Sequence, residues 1–223
     1  MLASQLGAKL VLTGRREVAL RETADQCRQD SAICIAGDLA DVDFVAELTS
    51  RAGKLDGLVH AAGIAPICPI GVADDNVFQS AIEVNYLSFC RLMKAYSGRR
   101  YRNGPFSAVA VSSVSSSVGW AGGAAYCGSK GAVSATVRAL AIELASKRIR
   151  VNSVAPSNIR TPLYEQGAVA VNDDESMRQL LSKQPLGLGE PEEVAAPICF
   201  LLSDAAKFIT GAELPIDGGY LAQ

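Results

Sequence analysis

Apolar positions along the chain follow two alternating rhythms. Short, nearly continuous apolar runs read as strands: "KLVLTG" (9–14), "AICIAG" (32–37), "LDGLVHAAG" (55–63), "FSAVAVSS" (106–113), "IRVNSVAP" (149–156) and "AELPID" (212–217). Between them lie segments whose apolar residues recur every three or four positions and so predict helices. These are 17–30, 41–53, 74–97, 124–145 and 191–204. Uninterrupted apolar strands alternating with helices predict a parallel sheet covered on both faces, an α/β doubly wound fold. No repeat, low-complexity tract or linker divides the chain, so one domain over 1–223 is expected. Its ligands should bind beyond the carboxyl ends of the strands.

Polar residues interrupt this pattern in three places. In the helix 124–145, Tyr126, Lys130, Val133, Val137, Leu140 and Leu144 form one stripe, and a phenol and an ammonium open it. In 74–97, Asn85 fills a step between Ile82 and Phe89 that the spacing reserves for an apolar residue. A buried amide without partners costs roughly 1–3 kcal/mol, so Asn85 is either satisfied by backbone or part of a site. The strand 106–113 ends in Ser112 and Ser113. Taken singly, such serines serve turns and caps. Taken with Tyr126 thirteen residues on, Ser113 can face the same crevice as the helix start.

Composition narrows the chemistry. Of 223 residues, 49% are hydrophobic, and the net charge of −2 gives no electrostatic case for nucleic acid. Six scattered cysteines without a CxxC pair, and His60 as the only histidine, argue against a metal site. Free buried thiols in a reducing cytoplasm are the expectation. No apolar run nears the roughly 20 residues that span a bilayer, and the first residues lack the basic leader of a signal peptide.

Asn85, Ser113 and Tyr126-x-x-x-Lys130 together resemble the short-chain dehydrogenase/reductase family. Supporting pieces are "GDLAD" (37–41), "HAAG" (60–63), "RVNSVAP" (150–156), "PLGLGEPEEVA" (185–195) and "TGAELPIDGG" (210–219). The resemblance runs the length of the chain. It implies a Rossmann-like fold and hydride exchange between a nicotinamide dinucleotide and a carbonyl/alcohol pair. Tyr126 would be the acid/base, its pKa lowered by the Lys130 ammonium. Ser113 would hold the substrate oxygen, Lys130 the nicotinamide ribose, and Asn85 a relay water. Asp38 and Leu39 match adenine contacts, while Ala61, Ala62 and Gly63 match a small-residue turn that lets backbone approach the cofactor. Pro156, Ile159 and Thr161 match contacts to the carboxamide and phosphate. His60 stands as a structural substitute in its turn. Where NAD-preferring relatives carry an acid, this chain has Gly14 followed by Arg15 and Arg16, which favours NADP(H) over NAD(H). The family's long helices further imply a homodimer or homotetramer built on 74–97 and 126–146. The partner is a small molecule, with Pro162–Lys183 as a lid and the acidic cluster Asp173–Glu175 as solvated surface.

One departure stands out. The family opens with a strand and a glycine-rich turn, Thr-Gly-x-x-x-Gly-x-Gly, that brings a helix N-terminus to the pyrophosphate. No such motif occurs in this sequence, and "MLASQLGAKL" matches the later half of the helix after it. The expectation is an N-terminally truncated domain whose two sheet halves lack their central strand, leaving two strand edges unpaired. A non-catalytic scaffold of the same fold, unable to bind dinucleotide, is the competing reading. A hydrolase using Ser113 with Lys130 is disfavoured, because no Gly-x-Ser-x-Gly elbow is present.

Overall fold

The structure, a computed structural model, describes residues 1–165 and 182–223. The segment expected to form a lid, with Asp173–Glu175, lies largely outside these described residues. Six strands occur among them: β1 (Leu10–Gly14), β2 (Ala32–Ala36), β3 (Leu55–His60), β4 (Arg102–Val111), β5 (Ile149–Pro156) and β6 (Glu213–Ile216). The principal helices are α1 (Leu2–Gln5), α2 (Glu17–Asp25), α3 (Val42–Ala52), α4 (Asp75–Ile82), α5 (Ser88–Tyr96), α6 (Ala124–Leu144) and α7 (Pro191–Leu202).

All strand pairing is parallel, but it falls into two sheets: β1–β2, and β3–β4–β5–β6. β1 bonds only to β2, and β3 only to β4. The halves are joined instead by packing. Ile35 of β2 and Phe44, Val45 and Leu48 of α3 share an apolar cluster with Phe89, Leu92 and Met93 of α5. The four-stranded sheet is covered on both faces, as its two-residue period requires. Phe106, Ala108 and Ala110 of β4 face the cluster with α5 and α6, whereas Val109 faces a second cluster with Val194 and Leu201 of α7.

Two elements depart from the expected boundaries. β4 begins at Arg102 and stops at Val111, so Ser112 and Ser113 lie beyond the strand rather than at its last positions. The helix expected over 74–97 is broken by a π-helical turn, Glu83–Leu87, between α4 and α5. Asn85 sits inside that turn, fully buried. Single π turns are favoured where a side chain must leave the helical stripe for a site. All six cysteines are free, but each is half-buried rather than buried. Among the described residues, no helix is long and apolar enough to cross a membrane, and no cluster of three metal-ligating side chains occurs.

Candidate active site

β4 and β5 bring their carboxyl ends together, and the helix that follows β4 starts over them. Ser113 caps a short 3₁₀ turn, Val114–Ser116, its Oγ accepting from the Ser115 amide at 3.1 Å. This leaves its own proton free to donate. Tyr126 lies in the first turn of α6, where the helix dipole favours negative charge. Burial raises the Tyr126 pKa above the ordinary phenol value, and the Ser113 side chain offsets part of that rise. Lys130, one turn on, is 5% exposed and donates from Nζ to the Val111 carbonyl at 2.8 Å.

The sequence led us to expect the Lys130 ammonium to lower the phenol's pKa. In the structure burial raises that pKa instead, and Ser113 rather than Lys130 offsets part of the rise. Nζ lies 5.7 Å from the Tyr126 ring centroid, and burial pulls Lys130 itself down to about 8. Lysine carries three donors, and one is spent on Val111. The others are available to a ligand's hydroxyls.

Asn85 staples three segments. Its Oδ1 accepts from the Ile64 amide at 2.8 Å, and its Nδ2 donates to the Ile64 carbonyl at 2.9 Å and to Ser129 Oγ at 2.8 Å. Ser129 passes its proton to the Tyr126 carbonyl at 2.7 Å. The amide is thereby satisfied, with one Oδ1 lone pair left for a water. Beside it, a Cβ on Gly63 would stand 3.4 Å from Asn85 Oδ1 and 3.5 Å from Lys130 Nζ. Bare backbone therefore borders the Lys130 ammonium, and Ala61 and Gly63 are exposed there.

His60 turns away from this centre. Its Nε2 lies 2.7 Å from Ser88 Oγ, whose single proton goes to the Val84 carbonyl at 2.6 Å, so His60 Nε2–H is the donor. The ring is 2% exposed and rests on Phe89 with centroids 5.6 Å apart. Desolvation, helped by Lys130, lowers its pKa to about 4, which keeps it neutral.

The remaining sequence-derived positions divide between solvent and core. Arg15 and Arg16 are exposed, have no ion-pair partner among the described residues, and line an open cavity of about 540 Å³ with Gly14, Ala19, Leu20 and Thr23. That cavity shares no residue with the Tyr126 cluster. Asp38 is half-buried and accepts from the Ala40 amide at 2.9 Å. Leu39 and Ile159 point their side chains into the two apolar clusters, so only their backbone is available to a ligand. Pro156 closes β5, and the Thr161 hydroxyl donates to the Ile159 carbonyl at 3.2 Å.

The spacing of the sequence did not single out Trp120. Its indole donates to Ser115 Oγ at 3.2 Å and lies 6.4 Å from the Tyr126 ring, 40% exposed. A Cβ on Gly123 would meet that indole at 2.5 Å, so the glycine makes room for the ring. Ser129 was missed as well, although its place just before Lys130 on the same helix was a usable signal.

These side chains fit a nicotinamide dinucleotide at two places: spare Lys130 donors beside exposed backbone at Gly63, and unpaired guanidiniums at Arg15 and Arg16. Comparison with known proteins gives the family. The family model described as Enoyl-(Acyl carrier protein) reductase matches residues 1–221. L-xylulose reductase from Bos taurus is 32% identical over 218 residues, covering 97% of this chain and 87% of that protein. The chain belongs to the short-chain dehydrogenase/reductase family. Cis-4-hydroxycyclohexanecarboxylate dehydrogenase from Sinomonas cyclohexanicum is 38% identical over 197 residues, 86% of this chain and 77% of its own. A solved short-chain dehydrogenase/reductase from Brucella melitensis, a glucose/ribitol dehydrogenase, superimposes with a TM-score of 0.88 at 31% identity, over 98% of this chain and 89% of that one. As a short-chain dehydrogenase/reductase, the chain is an oxidoreductase of an alcohol/carbonyl pair that uses NAD(P)(H).

Proposed function

We propose that the chain is an NADP(H)-dependent reductase and dehydrogenase of small carbonyl/alcohol pairs, with residues 1–223 acting as one catalytic domain. The observation that carries this reading is the convergence of Ser113, Tyr126 and Lys130 at the carboxyl end of β4. The bound dinucleotide supplies or accepts the hydride. The protein handles the proton and the oxygen. Tyr126 gives its proton to the substrate oxygen in reduction and takes it back in oxidation. Ser113, whose proton is free to donate, holds that oxygen as charge grows on it. Lys130 binds the nicotinamide ribose hydroxyls with the donors that the Val111 carbonyl leaves spare. Asn85 offers its remaining Oδ1 lone pair to a relay water.

Arg15 and Arg16 support the choice of NADP(H). They are exposed and have no ion-pair partner among the described residues, and no carboxylate among them lines the cavity to accept a ribose diol. The backbone of Asp38, Leu39, Ala61, Ala62, Pro156 and Ile159, with Thr161, completes the cofactor contacts in this reading. The protein is expected to be cytoplasmic and to associate as a dimer or tetramer through the outer faces of α4–α5 and α6, where Ala135 and Ala139 are exposed.

The competing reading is a scaffold of the same fold that binds no dinucleotide. Titration separates the two readings. Trp120 is the only tryptophan and sits beside Tyr126, so its fluorescence reports on the site. Micromolar quenching by NADPH, together with turnover of xylulose or of cis-4-hydroxycyclohexanecarboxylate with the matching redox form, is the expected result. No quenching at millimolar NADPH or NADH would leave the scaffold.

A further inference from the structure

Glu213 stands near the start of β6, opposite Ser153 in the register. Its carboxylate collects three hydroxyls. Ser116 donates to Oε1 at 3.0 Å, Ser153 donates to Oε2 at 3.1 Å, and Ser134 also donates to Oε2. A carboxylate accepts and cannot donate, so the direction of every bond follows. Because Ser134 gives its proton to Glu213, the 2.8 Å contact between Ser112 and Ser134 must run from Ser112 to Ser134. Four hydroxyl protons thus point, directly or in relay, at one acidic side chain.

The serines come from the elements that carry the reactive groups. Ser116 ends the 3₁₀ turn that Ser113 caps, and Ser112 is its chain neighbour. Ser134 follows Lys130 by one turn of α6, and Ser112 Oγ lies 3.5 Å from the Lys130 carbonyl. Ser153 is in β5, fully buried. We infer that Glu213 is a positioning residue: its carboxylate clamps the Ser113–Ser116 turn to α6 and so fixes the Ser113 hydroxyl that caps the turn. Ser115 of the turn also accepts from the Trp120 indole, but that bond reaches only the loop that follows. The link through Ser116 ties the turn to the far edge of the sheet. The inference rests on the oxidoreductase reading for its kinetic consequence, not for the clamp itself.

Ser116→Ala, Ser116→Thr and Glu213→Gln test it in the full chain. Ser116→Ala removes only the link to the turn. Amide exchange at 113–118 should then quicken about tenfold, with β5 and the middle of α6 unchanged. The kcat should fall about tenfold, with the KM for NADPH within twofold of wild type. Ser116→Thr keeps a hydroxyl and should restore both. Glu213→Gln places an N–H₂ against hydroxyl protons and should reproduce the loop effect. If Glu213→Gln fails to fold, the Ser116 pair decides alone. Unchanged exchange in Ser116→Ala would overturn the clamp. So would quickening spread evenly over all strands in step with a lower Tm, since that is general destabilisation. Exchange needs no turnover, so a wild-type chain that neither binds NADPH nor reacts would sink the oxidoreductase reading while exchange still decides the clamp.

Discussion

The central strands of the larger sheet and the strands of the smaller one differ in how completely they are covered. β5 has six buried residues of eight, and β4 is buried without a break from Phe106 to Ala110. In the β1–β2 half, no residue of β1 or α2 is buried, and β2 has Ile33 53% exposed. The proton-handling groups stand on the first half, and the arginines that would read the cofactor's phosphate stand on the second. Acid/base chemistry needs side chains fixed to within a fraction of an ångström, which a close-packed sheet with paired strands provides. Holding an exposed phosphate with guanidiniums tolerates a looser support. The half with fewer buried contacts is the half expected to open first.

The largest effect should come from the rigid half. Tyr126→Phe is expected to lower kcat more than a hundredfold, about 2.7 kcal/mol of transition-state stabilisation, with NADPH affinity within a few fold. Retention of a tenth of wild-type kcat would move the proton donor elsewhere. The contrast itself is measured by amide exchange. Amides of β1 and β2 should exchange about a hundredfold faster than those of β4 and β5, a gap of about 2.7 kcal/mol in opening free energy. Equal protection would mean that α3 and α5 couple the halves into one cooperative unit.

A smaller effect separates rigidity from function inside the catalytic half. Burial lowers Lys130 from 10.5 to about 8. A lysine whose folded value lies below its unfolded one weakens the fold when protonated. The penalty is full below about pH 8, shrinks as pH rises, and is gone above 10.5. Lys130→Met should therefore abolish turnover yet stabilise the ligand-free chain by about 1–2 kcal/mol at pH 7, after allowing for the Val111 carbonyl left unpaired. Denaturation midpoints at pH 7 and pH 10 check it. A gain that grows with pH would contradict the assignment. The smallest effect belongs to the open half. Arg15→Ala should raise the KM for NADPH about fivefold and leave that for NADH unchanged, because Arg16 remains to share the 2′-phosphate. Equal shifts for both cofactors would show that Arg15 does not read the phosphate.

Much of the molecule was legible along the chain because its signals are local. Strand and helix periods give the elements to within a few residues. Tyr126 and Lys130 lie one helical turn apart, so any helix over 124–144 puts them on one face. Asn85 was visible as a polar residue in an apolar stripe. The π turn that carries it was not, because such a turn is chosen by what the side chain must reach, Ile64 and Ser129, which lie 21 and 44 residues away. The direction of the Tyr126 shift was misread for the same kind of reason. Spacing shows that an ammonium is near, but only the folded structure shows that Nζ bonds the Val111 carbonyl and that burial raises the phenol's pKa.

The sequence by itself determined the order of strands and helices, the Tyr126–Lys130 pair and the basic pair after β1. Each follows from backbone periodicity or from residues a few positions apart. The tertiary structure alone decided the apolar packing of α3 on α5 that joins the two sheets, the neutral His60 on Ser88, and the carboxylate of Glu213 reaching Ser116 across 97 residues. Burial and hydrogen-bond partners belong to segments that meet only when the chain has folded, and no local pattern encodes which distant hydroxyl a given acid will find.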